Sequence, residues 1–186
     1  MRLRDCFTMD WKARGKPALG AWGTVKRLLL NPGYRAVVYY RLAVYLRQSE
    51  ALRPVGRMLA ALLLARLARV PGVEFPARGH IKAGLLLPHP HDIVIGVGVS
   101  IGRNVTIYNG VTLGARTLRD LDEQKEAAKR YPTIEDGVTL FPGARILGPV
   151  TVGASSIVGA NSVVTQSFPP GSTIVGAPAR AVQKAA

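Results

Sequence analysis

Apolar residues recur every six positions from Phe75 onward: Phe75, Ile81, Leu87, Ile93, Val99, Val105 and Val111. A second apolar series, Ile95, Ile101, Ile107 and Leu113, runs two residues behind, and Gly96, Gly102 and Gly114 follow three of its members. The beat stops after Leu113 and resumes as Ile134, Leu140, Ile146, Val152, Val158 and Val164. Val138, Ala144, Val150, Ser156 and Ser162, all small or β-branched, stand two positions before the later members. This is neither the roughly 3.6-residue repeat of an α-helix nor the roughly two-residue repeat of a strand. It fits a short strand and a tight turn, repeated. Three such sides close a triangular coil of about 18 residues whose apolar side chains stack inside. A β-sandwich would hold this beat only by coincidence. Glycine after the inward residue suits a positive φ or a close backbone approach. Asn104 and Asn109 suit corners, because Asn tolerates the left-handed region.

Ahead of the repeat, residues 23–70 read as helical. Asn31-Pro32-Gly33 breaks the chain and can start a helix, with Pro pre-set for a first turn. Tyr34 to Leu46 then carries Val37, Val38, Leu42 and Tyr45 as an apolar stripe. Arg53-Pro54 starts a second helix with Leu59, Leu62, Leu63 and Leu67 along it, and Pro71-Gly72 ends it. A first circuit left bare would be an open edge, so a helical cap there has a physical purpose. Residues 115–133 interrupt the repeat; the charged stretch Leu118 to Arg130 is expected to include a helical turn or two and to project outward. The expected organisation is a helical region over 1–71, a coil domain over 72–178 with an extruded loop at 115–133, and a tail at 179–186.

The chain has 186 residues, 48 % of them hydrophobic, enough for one domain and a small appendage without disulfides. Cys6 is alone, cannot form an intrachain bridge, and has no partner pattern for a nucleophile, which fits a reducing cytoplasm. No apolar core of a signal peptide follows the basic N-terminus. The best apolar run, Val55 to Val70, is broken by Arg57, Arg66 and Arg69, short of the roughly 18 uninterrupted residues a membrane span needs. A cytoplasmic location is expected. The net charge of +14 is uneven, with 14 Lys/Arg against 3 Asp/Glu in residues 1–70 and 11 against 8 in the rest. These cations are spaced along apolar helical segments with no nucleic-acid motif, so nucleic acid is not the expected partner. Peripheral contact with anionic lipid or a partner fits a basic amphipathic surface, and a solvated face is the plainer alternative.

A coil implies no function by itself. The informative segment is Leu85-Leu86-Leu87-Pro88-His89-Pro90-His91-Asp92-Ile93-Val94-Ile95-Gly96. His89 and His91 share one six-residue step, flanked by prolines, and neither takes an inward apolar position. Gly72-Val73-Glu74 precedes them, with His89 fifteen residues after Glu74 and Ile93-Val94-Ile95-Gly96 closing the pattern. This arrangement resembles the serine acetyltransferases and the related acetyltransferases of capsule and exopolysaccharide gene clusters, which are hexapeptide-repeat acyltransferases. Val111-Thr112-Leu113-Gly114, Ala144-Arg145-Ile146-Leu147-Gly148 and Val175-Gly176-Ala177-Pro178-Ala179-Arg180 extend the resemblance over roughly residues 30–182.

The resemblance implies a mainly β fold, a left-handed parallel β-helix preceded by a short α-helical N-terminal region. It implies an O-acetyltransferase that moves the acyl group of acetyl-CoA to the hydroxyl of a serine-like amino acid or a sugar, with no metal. His89 is then the general base. Glu74, where the family usually has Asp, orients the ring and stabilises the imidazolium. The turn at Gly114-Ala115 supplies N–H donors to the oxyanion. Gly143 and Ala160 line the CoA arm, with Arg180 near its nucleotide end. His91, Asp92, Arg130 and Tyr131 face the acceptor. Tyr131 stands where the serine enzymes carry a second His, and Pro88 where an Asp precedes their catalytic His. A homotrimer is implied, with a dimer of trimers left open. The end Lys184-Ala185-Ala186 lacks the C-terminal Ile that docks cysteine synthase, so no such complex is expected. Two other readings stay open: a catalytically silent β-helix scaffold or regulator, and a metal enzyme of the carbonic-anhydrase type drawing on His80, His89 and His91.

Overall fold

The computed structural model describes residues 3–13, 15, 30–52, 54–69, 72–76, 80–116 and 130–182. Helix α1 covers Leu3–Lys12 and helix α2 Pro32–Gln48. Helix α2 starts where the Asn31 side chain accepts a hydrogen bond from the Tyr34 N–H at 2.9 Å, with Pro32 in a first turn that needs no donor there. A short 3-10 turn at Glu50–Leu52 leads to helix α3, Val55–Arg69, which packs back on α2. Gly56 makes that return possible, since a Cβ there would lie 2.6 Å from the Leu46 carbonyl oxygen.

The helices cap the coil. Ala36, Val37 and Tyr40 of α2 join the coil's apolar core, and Tyr40 stacks on Phe75 with ring centroids 4.5 Å apart. Burial there pushes the Tyr40 phenol up to about 12. A buried ion pair fastens α1 and α2 to the first circuit. The Arg41 guanidinium donates to both Asp10 carboxylate oxygens and to the carbonyls of Ile81 and Lys82. Asp10 in turn accepts from the N–H groups of Gly84 and Leu85 at 2.7 and 2.9 Å. Every charge in this pair has partners, which is the condition for burying one. Part of the apolar stripe expected on α3 turns outward, and the Leu67 side chain lies outside those described. Gly56 and Ala60 face inward, Leu63 is half-buried, and Leu59 and Leu62 face out, because only small residues fit the close crossing with α2. On α2, Val37 and Val38 are buried as expected, while Tyr45 is exposed.

From Val73 the chain visits three sheets in rotation. The first holds β1 (Val73–Glu74), β3 (Ile93–Ile95), β6 (Thr112–Gly114), β9 (Arg145–Leu147) and β12 (Val163–Val164). The second holds β2 (His80–Ile81), β4 (Ser100–Ile101), β7 (Thr133–Ile134) and β10 (Thr151–Val152). The third holds β5 (Thr106–Ile107), β8 (Thr139–Leu140), β11 (Ile157–Val158), β13 (Thr173–Gly176) and β14 (Ala179–Val182). All pairings are parallel except β13 with β14. Thr133 pairs with Thr151 and Thr139 with Ile157, so one circuit is 18 residues. Inside run columns such as Ile95, Leu113, Ile146, Val164 and Ile81, Ile101, Ile134, Val152, all buried.

The first circuit is longer. Val73 pairs with Ile93 and His80 with Ser100, twenty residues apart. Leu86 bridges Thr106 while Val94 pairs with Thr112, so the two extra residues lie between Leu86 and Val94. The even stepping from Phe75 through Val111 therefore crosses two columns. Ile81 stacks with Ile101 of the second series, and Val73 stacks on Ile93. The beat survives this slip because positions two apart on a strand both point inward.

The corners also differ in detail from expectation. Asn104 is left-handed, with φ 55°, but at the neighbouring corner Gly110 takes that role in place of Asn109. Gly96 and Gly102 serve close approach, since a Cβ at Gly96 would meet the Tyr131 ring at 2.5 Å and one at Gly102 the Asp136 carboxylate at 2.4 Å. Ser100 and Thr133 pair 33 residues apart across the interruption, one circuit plus 15 residues. Residues 117–129 of the expected extruded loop lie outside the described residues.

Candidate active site

The lengthened corner of the first circuit carries Pro88, His89, Pro90, His91 and Asp92. His91 donates its N–H to the His89 carbonyl at 2.9 Å, and Asp92 is left-handed, with φ 53°. The two extra residues and the prolines turn His89 and His91 outward, and both are exposed. The next circuit holds this corner in place through the Gly110 N–H, which donates to the His91 carbonyl.

The same corner repeats up the coil. Gly143 N–H donates to the Asn109 carbonyl and Asn161 N–H to the Pro142 carbonyl. Gly110, Gly143 and Asn161 are all left-handed, as is Asp92. One edge thus runs from His89 past Tyr108 and Phe141 to Gly143, then Gly159 and Ala160. Strands lie about 4.8 Å apart, so His89 and Ala160 are separated by about 14 Å along this edge. The Tyr108 ring is 6.3 Å from the His89 ring, and Phe141 stacks on Tyr108 at 5.3 Å with an interplanar angle of 9°. At Gly159 the ring row ends; a Cβ there would meet Val175 at 2.8 Å. Val175 pairs with Arg180, which is exposed at the far end of the track. The Tyr108–Phe141 pair is the feature of this edge that sequence reasoning missed. Its signal is an outward aromatic at equivalent steps of two circuits.

The expected site residues fall into two groups. Glu74 is exposed on β1, aligned with Val94, and Gly72 just before it lies against Asp92. His89, His91 and Asp92 therefore lie at the end of the first sheet from which the track to Gly143, Ala160 and Arg180 starts, and Glu74 stands within the sheet, opposite Val94. Among the described residues Glu74 and His89 are not hydrogen-bonded to each other. Gly114, the last residue of β6, and Ala115 sit at the opposite edge, where Gly148 N–H donates to the Gly114 carbonyl. Tyr131 belongs to that edge too. Its ring is buried over Gly96, with half-buried Arg130 beside it. The two groups are on the order of 10 Å apart along the strands of one chain. Among the described residues no three His, Cys, Asp or Glu side chains gather where they could hold a metal ion. Cys6 is half-buried, and burial pushes its thiol up, away from a reactive thiolate.

A parallel three-sided coil on a six-residue beat, with an outward histidine at the head of a long edge, defines a hexapeptide-repeat acyltransferase. The family described as bacterial transferase hexapeptide (six repeats) matches residues 131–166. A serine acetyltransferase of Helicobacter pylori is 40 % identical over 158 residues, covering 84 % of this chain and 85 % of its own. Serine acetyltransferase from Neisseria gonorrhoeae, solved in complex with serine, superposes with a TM-score of 0.77 at 32 % identity, covering 97 % of this chain and 69 % of that one. A serine acetyltransferase solved in complex with CoA gives a TM-score of 0.76 at 32 % identity, with the same coverage. The chain belongs to the serine acetyltransferase family and is an acyltransferase.

Proposed function

We propose that this protein transfers the acetyl group of acetyl-CoA to the hydroxyl of serine or a close analogue, with His89 as general base. The observation that carries this reading is the outward His89 at the head of an edge that runs on to Gly143, Ala160 and Arg180. An extended thioester donor can lie along that edge with its carbonyl at His89 and its nucleotide end near Arg180. Relatives solved with serine and with CoA support the same pair of substrates.

In this mechanism the neutral His89 imidazole takes the acceptor hydroxyl proton as the oxygen attacks the thioester carbonyl carbon. Glu74 swings to the ring on substrate binding, fixes its tautomer and stabilises the imidazolium. N–H groups at Gly114-Ala115 hold the tetrahedral oxyanion. The intermediate collapses by breaking the C–S bond, and the imidazolium returns the proton to the CoA thiolate. No acyl-enzyme forms and no metal is involved. His91, Asp92, Arg130 and Tyr131 bound the acceptor. We read the coil as a left-handed β-helix and the active unit as a cytoplasmic homotrimer. The separation of the two residue groups within one chain favours the trimer: a site holding both draws Gly114, Ala115, Arg130 and Tyr131 from a neighbouring copy.

A sugar acceptor is the second reading, favoured by Tyr131, whose buried ring stands where the serine enzymes carry a second His. Thiol release from acetyl-CoA, measured with serine, other amino acids and nucleotide sugars, separates the two. With the preferred acceptor, His89→Ala should lower kcat by roughly 10² or more. Near wild-type turnover in that variant rules out His89 as the base.

A further inference from the structure

Helix α3 is apolar on both sides, yet among the described residues only one side is covered. On one side Gly56 packs against α2, Ala60 is buried and Leu64 packs against the coil's core. On the opposite side Val55, Met58, Leu59 and Leu62 follow the i, i+3, i+4, i+7 spacing of one helical face and are 53, 59, 42 and 60 % exposed. Exposed Arg57 borders this stripe, and exposed Arg66 continues it one turn further on. A helix with large side chains on all faces is normally covered on all of them.

Charge decides what covers it. Residues 1–70 carry 14 Lys/Arg against Asp5, Asp10 and Glu50, and Asp10 is buried in its pair with Arg41. Helix α3 itself carries Arg57 and Arg66 and no acidic residue, so two copies meeting through this face would bring like charges together. An anionic surface with an apolar interior satisfies both properties of the stripe. Helix α3 has 15 residues, and among the described residues no helix is long and apolar enough to cross a membrane. We infer that α3 docks flat on an anionic lipid bilayer, its Val55–Met58–Leu59–Leu62 face in the headgroup boundary and its arginines on lipid phosphates.

Flotation of the full chain with vesicles tests this. The protein should float with vesicles of phosphatidylglycerol mixed into phosphatidylcholine, stay behind with phosphatidylcholine alone, and lose binding as salt rises. Met58→Glu combined with Leu62→Glu should abolish flotation while thiol release and Tm stay at wild-type values. Arg57→Ser combined with Arg66→Ser should weaken binding by roughly thirtyfold. Absence of flotation with the anionic vesicles overturns the inference, as does flotation that survives the two glutamates. Light scattering that shows a larger assembly for the wild type than for the glutamate variant, without vesicle binding, overturns it in favour of a second copy.

Discussion

Single positions in this chain are tuned to its neighbours across circuits. Gly96 is the clearest case, because the Tyr131 ring fills the space its Cβ would take. Gly96→Ala should therefore lower stability by about 1–3 kcal/mol, the usual cost of overpacking. Thermal melting checks this, and pairing it with Tyr131→Ala should recover part of the loss, since the same contact is then relieved. Tyr40 makes a pH prediction. Burial raises its phenol from an ordinary 10.0 to about 12, so the folded state keeps a proton that the unfolded chain gives up. That stability is fully present below the unfolded value and is lost as pH rises through the folded one. Melting temperature should fall faster above pH 10 in the wild type than in Tyr40→Phe.

At the scale of elements, the Asp10–Arg41 pair joins two helices to the corner that leads to His89. Asp10→Ala leaves a buried guanidinium and two backbone N–H groups without their acceptor. The expected loss is about 3–5 kcal/mol, read from urea unfolding. Replacing both charges by apolar residues should cost less than the single change, because no unpaired charge remains. The lengthened corner is the other decisive element. Its two extra residues shift the register of every later strand relative to the first circuit, and they give His89 its outward position.

For the whole molecule, the two halves of the proposed site lie at opposite edges of one sheet. A mixture of His89→Ala and Arg130→Ala chains, unfolded and refolded together, should regain thiol release that neither variant has alone. In the proposed trimer, mixed assemblies would hold some sites that pair an intact His89 from one chain with an intact Arg130 from the next. Failure to regain activity would mean that each chain builds its site alone.

The hexapeptide beat, the helical front and the Glu74-to-His89 spacing were legible in the chain because each depends on residues close in sequence. An inward apolar residue announces itself whatever stacks above it. Stacking is different, since the level at which a strand sits depends on the length of every corner before it. The slip between Leu86 and Val94 left the six-residue beat unbroken and so left no mark on the pattern. The partner of Gly96, the Tyr108–Phe141 ring row and the outward face of α3 were likewise decided by tertiary structure. Each depends on which surfaces meet in space, and a short-range hydrophobic pattern reports only that a residue would gain from burial.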